Sequence, residues 1–447
     1  MGFLLDFLYL LAVISYSPVI IYRTIRYKRY RTGWAQRFGK ITRKSARGGQ
    51  KKCVWLHAVS VGELNAAKTI VKELQDRFSA FEIVVSTTTD TGFARATKLF
   101  GENLQVFYFP LDFSWIIRRA FQRIRPSLCL LMELEVWPNF ATIAQKSNIP
   151  VVVVNGRISD KSFSRYKKIK PITKKIFRKV SLILAQTEEY AQRFKELGCP
   201  DERVIVTGSL KYDTAQITDK VDGADTLAEQ LFGKFEIRNS KFEIPLWVAG
   251  ATGNDEEKIL LDVYRSLKQQ DHFSDLRLAI VPRKPERFDE VAQLIKQTGF
   301  ELIRYSQIKN QAAGKSSIEY RASSIESVIL GDTMGDLRKF YSLATIIFVG
   351  RSLVPMGGSD MMEAAALGKC TIFGPHAFNF KHTVDALLKD NGAIMVKDKE
   401  DLLQTMQKCL TEPEYANKIA KNGREVIRKN QGATTKTIEQ IATFLNG

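Results

Sequence analysis

Metal-binding vocabulary is thin in this sequence. Histidine occurs only four times in 447 residues, at positions 57, 272, 376 and 382, and no His-Glu-x-x-His pattern is present. Asp-x-Asp is also missing. These gaps argue against a metal-dependent mechanism. The five cysteines, Cys53, Cys129, Cys199, Cys370 and Cys409, form no Cys-x-x-Cys pair. That excludes a thiolate metal centre of the usual spacing and fits a reducing compartment. Negative charge is in short supply as well. Lys and Arg number 67 against 48 Asp and Glu, a formal net charge of +19. Such an excess points to an anionic partner: nucleic acid, an anionic membrane or a phosphorylated substrate. A hydrophobic content of 45% excludes global disorder, and the length accommodates two ordinary domains plus an appendage.

Residues 3–22 form a nearly continuous apolar run of about the length that spans a bilayer. No small-residue cleavage site follows, so the run reads as an uncleaved anchor. Arg23, Arg26, Lys28, Arg29 and Arg31 come next, and the positive-inside rule puts the remaining chain in the cytoplasm. A helix lying in the interface is the alternative, and in either case the basic flank meets anionic headgroups.

Beyond a basic segment, short apolar runs at 53–56, 83–86, 106–109, 128–132, 151–154, 182–185 and 204–206 alternate with helical patterns. A second series occupies 246–249, 276–281, 300–305, 328–330, 345–349 and 370–373. Strand and helix in alternation imply parallel, doubly wound sheets. The expected division is an anchor at 1–22, a juxtamembrane segment at 23–50, a first α/β domain at 51–213, a polar linker at 214–244 and a second α/β domain at 245–447. Residues 307–323 read as a surface loop. Polar residues just past strand C-termini line the crevice of such sheets. His57, Glu63, Thr87, Asp112, Glu133, Asn155, Arg157 and Lys211 are in that class. Residues 160–179 carry nine Lys or Arg, read either as a solvated helix face or as a phosphate- or membrane-facing patch.

The stretch 345–380 organises the second half. A strand leads into a loop with Gly350, Gly357 and Gly358, Ser359 is placed to cap a helix, and Gly368 to end it. Backbone N–H groups of such a loop can hold an anion, although a lone glycine loop also occurs in ordinary crossovers. Glu363, one turn into the helix, can accept from two ribose hydroxyls. Arg283, after a strand and after Pro282, can reach a phosphate or carboxylate; a salt bridge to Glu286 is the plainer role. Met334, Gly335 and Asp336 begin another helix after a strand, again offering N–H groups. Glu63 follows Gly62 in a strand-to-helix loop, where it can act as a general base or simply complement the helix dipole. His57 competes for the base role but reads better as a buried core histidine. Two doubly wound Rossmann-like domains facing a cleft, with a phosphate loop in the second, suggest a GT-B sugar-nucleotide enzyme.

Ordered motifs then give a specific resemblance. They are 57–63 (His-Ala-Val-Ser-Val-Gly-Glu), 133–139 ending in Val-Trp-Pro-Asn, 208–213 (Gly-Ser-Leu-Lys-Tyr-Asp), 281–283 (Val-Pro-Arg), 332–335 (Asp-Thr-Met-Gly), 352–355 (Ser-Leu-Val-Pro), 374–376 (Gly-Pro-His) and 378–380 (Phe-Asn-Phe). Over nearly its whole length the chain resembles the 3-deoxy-D-manno-octulosonic acid (Kdo) transferases of lipopolysaccharide assembly. The resemblance implies a GT-B fold, CMP-Kdo as donor, a lipid A precursor (lipid IVA) as acceptor, and inversion without a metal or cofactor. It implies Glu63 as base, with Glu133 and Lys211 stabilising the transition state. It assigns CMP binding to Pro282, Arg283, Met334, Gly335, Asp336, Asp360, Met361, Met362 and Glu363. The implied partners are the two substrates and anionic inner-membrane lipids, with no nucleic acid. The implied location is the cytoplasmic side of a bacterial inner membrane, with a single N-terminal anchor. Ser359 to Met362, Ala251 to Asp255, and Lys284 depart from the family's usual residues, while Arg283 and Glu363 are retained. A sugar-nucleotide epimerase of the same architecture and a non-catalytic membrane scaffold are the alternatives.

Overall fold

The computed structural model describes residues 2–27, 32–43, 51–233, 237–238, 241–242, 244–313 and 326–446. The chain divides into two compact units, one formed by residues 1–214 with 430–447, the other by 215–429.

The first unit is built on a seven-stranded parallel sheet. Its strands are β1 (Cys53–His57), β2 (Glu82–Thr87), β3 (Gln105–Tyr108), β4 (Leu128–Met132), β5 (Val151–Gly156), β6 (Leu182–Ala185) and β7 (Val204–Val206), in the order β3-β2-β1-β4-β5-β6-β7. The strands are continuous apolar runs because crossover helices bury both faces of the sheet. Successive side chains alternate between the faces. Val54 and Leu56 join Leu130, Val152 and Val154 in one core, while Cys53 and Trp55 join Cys129, Leu131 and Val151 in the other. Trp55 anchors the second core, its ring 5.1 Å from Phe140 and 5.6 Å from Phe107, with its indole N–H donating to Ser86 Oγ at 2.8 Å. The strand order reverses between β1 and β4, so a ligand crevice is expected beyond their C-terminal ends.

The second unit carries a two-stranded hairpin, β8 (Ile237–Arg238) with β9 (Lys241–Phe242), and another seven-stranded parallel sheet. Its strands are β10 (Leu246–Thr252), β11 (Arg277–Pro282), β12 (Glu301–Arg304), β13 (Ser327–Leu330), β14 (Ile346–Val349), β15 (Cys370–Phe373) and β16 (Ile394–Met395). The order is β12-β13-β11-β10-β14-β15-β16, which puts the reversal between β10 and β14.

The domain limits differ from expectation at both ends of the second unit. The segment 214–244, expected as a linker with one helix at 227–232, holds the helix Ala224–Phe232, which buries Leu227, Ala228 and Leu231 and belongs to the second unit. The second domain does not run to residue 447. The last helix, Ala433–Leu445, returns to the first unit, where Ile438, Ile441 and Leu445 join the core of β1 and β4. Asp213 fixes the return, accepting from the N–H groups of Gly432 at 2.7 Å and of Thr434. A carboxylate on orphan donors of a helix N-terminus is favourable by charge as well as by hydrogen bonding. Residues 305–313, expected partly as loop, are helical (Tyr305–Ala313); 314–325 lie outside the described residues.

Residues Gly2–Tyr27 form one helix. Its side chains Phe7, Leu8, Leu10, Leu11, Ile14 and Ile25 are exposed. Among the described residues, no helix is long and apolar enough to cross a membrane.

Candidate functional site

In the first unit the loop after β1 carries Glu63. The helix Val61–Arg77 starts at the N-cap Ser60, whose Oγ accepts from the Glu63 N–H at 3.2 Å. The Glu63 carboxylate reaches back to the N–H groups of Val59 (2.9 Å) and Ser60 (3.2 Å). This reciprocal capping box fixes the side chain in one place. The loop is braced from the neighbouring strand by the hydroxyls of Thr87 and Thr89, which donate to the Val59 carbonyl at 3.2 Å each. Gly92 permits that approach, since a Cβ there would lie 2.8 Å from the same carbonyl oxygen. Burial raises the Glu63 pKa, the two backbone donors and Ser60 pull it down, and the charge of Glu133 raises it again.

Glu133 leaves β4 in the left-handed region at φ 54°, its N–H donating to the Val154 carbonyl at 2.9 Å. Strain at a non-glycine residue clusters at functional sites. Two residues on, Glu135 lies close enough to feel both Glu63 and Glu133. Burial first, then these two charges, push its pKa up to about 7, against a hydrogen bond from the Trp137 indole at 3.1 Å. Glu135 is the residue that the sequence reading passed over. Its signal was there, a second glutamate in the Glu-x-Glu run that precedes Trp137. Lys211 lies on the short helix Leu210–Thr214 and is partly exposed. That helix is tied to the end of β5, where Asn155 Oδ1 accepts from the Leu210 N–H at 3.1 Å. So Glu63 and Glu133 follow adjacent strands, and Lys211 follows a residue bonded to the next strand over.

Other crevice candidates turn out to be structural. His57 is fully buried, stacked 3.8 Å from Phe109, with Nδ1 3.0 Å from Ser86 Oγ. Burial holds its pKa at about 3, so the ring is neutral. Asp112 caps the helix Pro138–Lys146 by accepting from the N–H groups of Asn139 (3.0 Å) and Phe140 (2.8 Å), and burial lifts its pKa to about 7. In the basic stretch, helices Asp160–Lys168 and Lys170–Phe177 bury Thr173 and Phe177 but expose Ile169 and Ile172 among their lysines.

In the second unit the glycine loop behaves differently from expectation. The N–H groups of Arg351 (2.5 Å), Ser352 (2.9 Å) and Leu353 (3.0 Å) already hold an anion, and it is the protein's own Glu256. The Gly253 N–H donates to the same carboxylate at 3.3 Å. Glu256 is fully buried; burial raises its pKa and these four donors lower it. Nor does Ser359 cap the following helix. Its hydroxyl donates to the Ala251 carbonyl at 3.1 Å, and the helix begins later, at Met362–Ala366, with Asp360 Oδ1 accepting from the Met362 N–H at 2.9 Å. Met361 and Met362 are buried, so their side chains serve the core.

The side chain of Asp336, whose N–H was the expected contact, is used within the fold. It is 3% exposed and accepts from Lys309 Nζ (2.6 Å) and Thr333 Oγ1 (2.7 Å), with Lys339 Nζ at 2.8 Å. Burial alone would raise its pKa, but these partners outweigh it and hold the group at about 2. Its carboxylate is therefore engaged within the fold. Met334 is 67% exposed, and Gly335, at φ 94°, leaves open space where a Cβ would stand.

Arg283 and Glu363 remain available. Arg283 is exposed and has no ion pair among the described residues; Arg287 instead takes Glu257 and Glu290. Glu363 accepts no hydrogen bond among the described residues, and its nearest cation, Arg338 Nε, is 4.0 Å away. Both charges, with those of Asp360 and Glu256, act on the buried hydroxyl of Tyr341. That hydroxyl packs against Gly250, where a Cβ would meet it at 2.3 Å. Pro282 is buried at the end of β11 and sets the start of the Arg283 loop.

Two parallel α/β units, each with polar groups at the strand C-termini, make a fold of two Rossmann-like domains. The UDP-GlcNAc 2-epimerase of Neisseria meningitidis shares this fold, with a TM-score of 0.55 and 14% identity over 88% of this chain and 100% of that one. The family is given by sequence. Residues 32–214 match the family described as 3-deoxy-D-manno-octulosonic-acid transferase (kdotransferase). The 3-deoxy-D-manno-octulosonic acid transferase of Haemophilus influenzae is 34% identical over 94% of this chain and 93% of its own length. That of Bordetella pertussis is 29% identical over 88% and 87%. The chain belongs to the Kdo transferase family and is a glycosyltransferase.

Proposed function

We propose that the protein transfers Kdo from CMP-Kdo to a lipid A precursor, lipid IVA, with inversion at the anomeric carbon, in lipopolysaccharide assembly. The reading rests chiefly on the Glu63 carboxylate, held in a braced loop beside Glu133 and Glu135 with no ion pair to any of the three among the described residues. A general base needs an ionisable group that is positioned and not neutralised. Glu63 takes the proton of the acceptor hydroxyl as its oxygen bonds to the anomeric carbon. The bond from that carbon to the phosphate oxygen breaks, and its electron pair leaves with CMP. Lys211 offsets charge on the leaving phosphate or on the sugar carboxylate. Glu133 favours the oxocarbenium character that develops on the sugar.

The second unit binds the donor. Arg283 meets a phosphate or carboxylate, Glu363 accepts from the ribose hydroxyls, and Met334, Gly335 and Asp360 contribute around them. Asp336 supports this region from within. No metal or separate cofactor takes part. The helix Gly2–Tyr27 attaches the protein to the cytoplasmic side of the inner membrane, where the basic flank and the exposed lysines of 160–179 meet anionic lipid and the phosphorylated acceptor.

The test is a transfer assay with purified protein, CMP-Kdo and tetraacylated lipid A precursor in detergent, with a chelator present and products read by mass spectrometry. A mass gain of one or more Kdo units is expected. Glu63→Ala is expected to abolish the gain while CMP still binds; transfer at the unaltered rate in that variant would remove Glu63 from the base role.

A further inference from the structure

The ends of the N-terminal helix carry information about how it meets the bilayer. Near its start, Asp6 accepts from the Ser114 N–H at 2.8 Å and from Asn139 Nδ2 at 3.0 Å, and the Tyr9 hydroxyl donates to Asp112 at 3.0 Å. Just past its last residue, Tyr27, the Thr32 hydroxyl is 2.9 Å from that of Tyr108, and Gln36 Oε1 accepts from the Tyr108 N–H at 2.9 Å. Both ends are therefore tied to the same α/β unit. From Asp6 to Tyr27 the helix rises about 31 Å, close to the ~30 Å of a hydrocarbon core. A spanning helix would need all of that rise, and would leave Asp6 and Tyr27 on opposite faces. From Tyr27 the chain can reach Thr32 over at most about 18 Å, too short to recross the core. Spanning and the two sets of hydrogen bonds are incompatible.

Beside Asp6 is a cavity of about 780 Å³ lined by Trp115, Arg118, Arg125, Asn139 and Lys146. Its one carboxylate, Asp6, is already occupied by Ser114 and Asn139. Arg118 and Lys146 have no ion pair among the described residues, and Lys179, whose pKa is lowered by burial and then by the charge of Lys146, adds a cation nearby. Trp115 is 48% exposed and stacks on Phe38, 6.2 Å away, which in turn neighbours Trp34. Exposed apolar helix, aromatic rim and cationic cavity adjoin one another. That is the layering of a bilayer interface from acyl chains to headgroups.

We infer that the helix Gly2–Tyr27 lies in one leaflet rather than crossing it, and that the cavity beside Asp6 takes the phosphate headgroup of an anionic phospholipid in that leaflet. The inference deepens the proposed membrane attachment and rests on it. Two measurements on the full-length protein test it. The first adds an N-terminal tag with a protease site and digests sealed, cytoplasmic-face-out vesicles. Cleavage without detergent is expected; protection until detergent is added would establish spanning and overturn the inference. The second floats the protein with phosphatidylglycerol or phosphatidylcholine vesicles. Arg118→Gln with Arg125→Gln is expected to lower partition into phosphatidylglycerol by roughly fivefold per residue, leaving phosphatidylcholine unaffected. Arg118→Lys should retain most of it. An equal loss on both lipids, or no loss, would overturn the headgroup site. Failure to float with any vesicle would instead sink membrane attachment itself, and with it this part of the proposed function.

Discussion

The two α/β units handle charge in opposite ways. In the first, Glu63, Glu133 and Glu135 lie near one another past β1 and β4; burial and then the neighbouring carboxylates raise the proton affinity of Glu63 and Glu135, with no cation paired to the three among the described residues. In the second, nearly every carboxylate near the strand ends is neutralised. Asp332 takes Arg304 and Ser306, Asp336 takes two lysines, Glu257 takes Arg287, and Glu256 takes four backbone N–H groups. Among the described residues, Arg283 has no ion pair there and Glu363 comes no closer than 4.0 Å to a cation. On the proposed function, the first unit's unpaired carboxylates serve proton transfer and the second unit's arginine and glutamate serve the donor. Burial is common to both; the difference is whether a buried charge is given a partner.

Substitutions can break this contrast, and the largest effect is expected at Glu63. Glu63→Gln keeps a capping acceptor but cannot take a proton, so kcat should fall by about 10²- to 10⁴-fold while thermal stability changes little. A fall in stability that matches the loss of rate would assign Glu63 to folding alone. Glu256→Ala leaves four N–H groups of the second unit unsatisfied and should cost ~3–5 kcal/mol in unfolding free energy, read by urea denaturation. A loss below ~1 kcal/mol would show that another acceptor replaces it. Arg283→Ala, exposed and unpaired, should leave stability unchanged and weaken CMP binding about ten- to a hundredfold, as expected for one charge-assisted contact.

The smallest effect concerns pH. A base must be ionised to act, so protonating Glu63 at low pH stops transfer. Burial raises its pKa, which puts the acid limb of the rate profile above the ordinary glutamate value of about 4.3. Glu133→Gln removes the like charge that raises the Glu63 pKa and should move that limb to lower pH, by less than about one unit. An unmoved or raised limb would mean that the two carboxylates do not interact.

Much of this scaffold was legible in the sequence. Runs such as Leu128–Met132, Leu182–Ala185 and Cys370–Phe373 are short, apolar and bounded by turn signals, because strands covered on both faces need no polar side. Glu63 was legible through its place after a strand. What escaped depends on distant partners. The helix Ala433–Leu445 packs on the first unit's core, and Asp213, over two hundred residues away in sequence, holds its N-terminus. Glu256 stands at a helix start, and nothing in its local sequence marks the loop it binds nearly a hundred residues away. The partners of the Asp336 carboxylate, Lys309 and Lys339, are likewise set by packing and not by the local sequence.

The central claim is the division of labour between the units, and calorimetric titration of CMP into Glu63→Gln and Arg283→Ala, each paired with its transfer rate, tests it most directly. The account predicts that Glu63→Gln binds CMP like the unaltered protein and transfers nothing, whereas Arg283→Ala binds CMP weakly and recovers rate at high donor concentration. Loss of CMP affinity in Glu63→Gln together with full affinity in Arg283→Ala would contradict it.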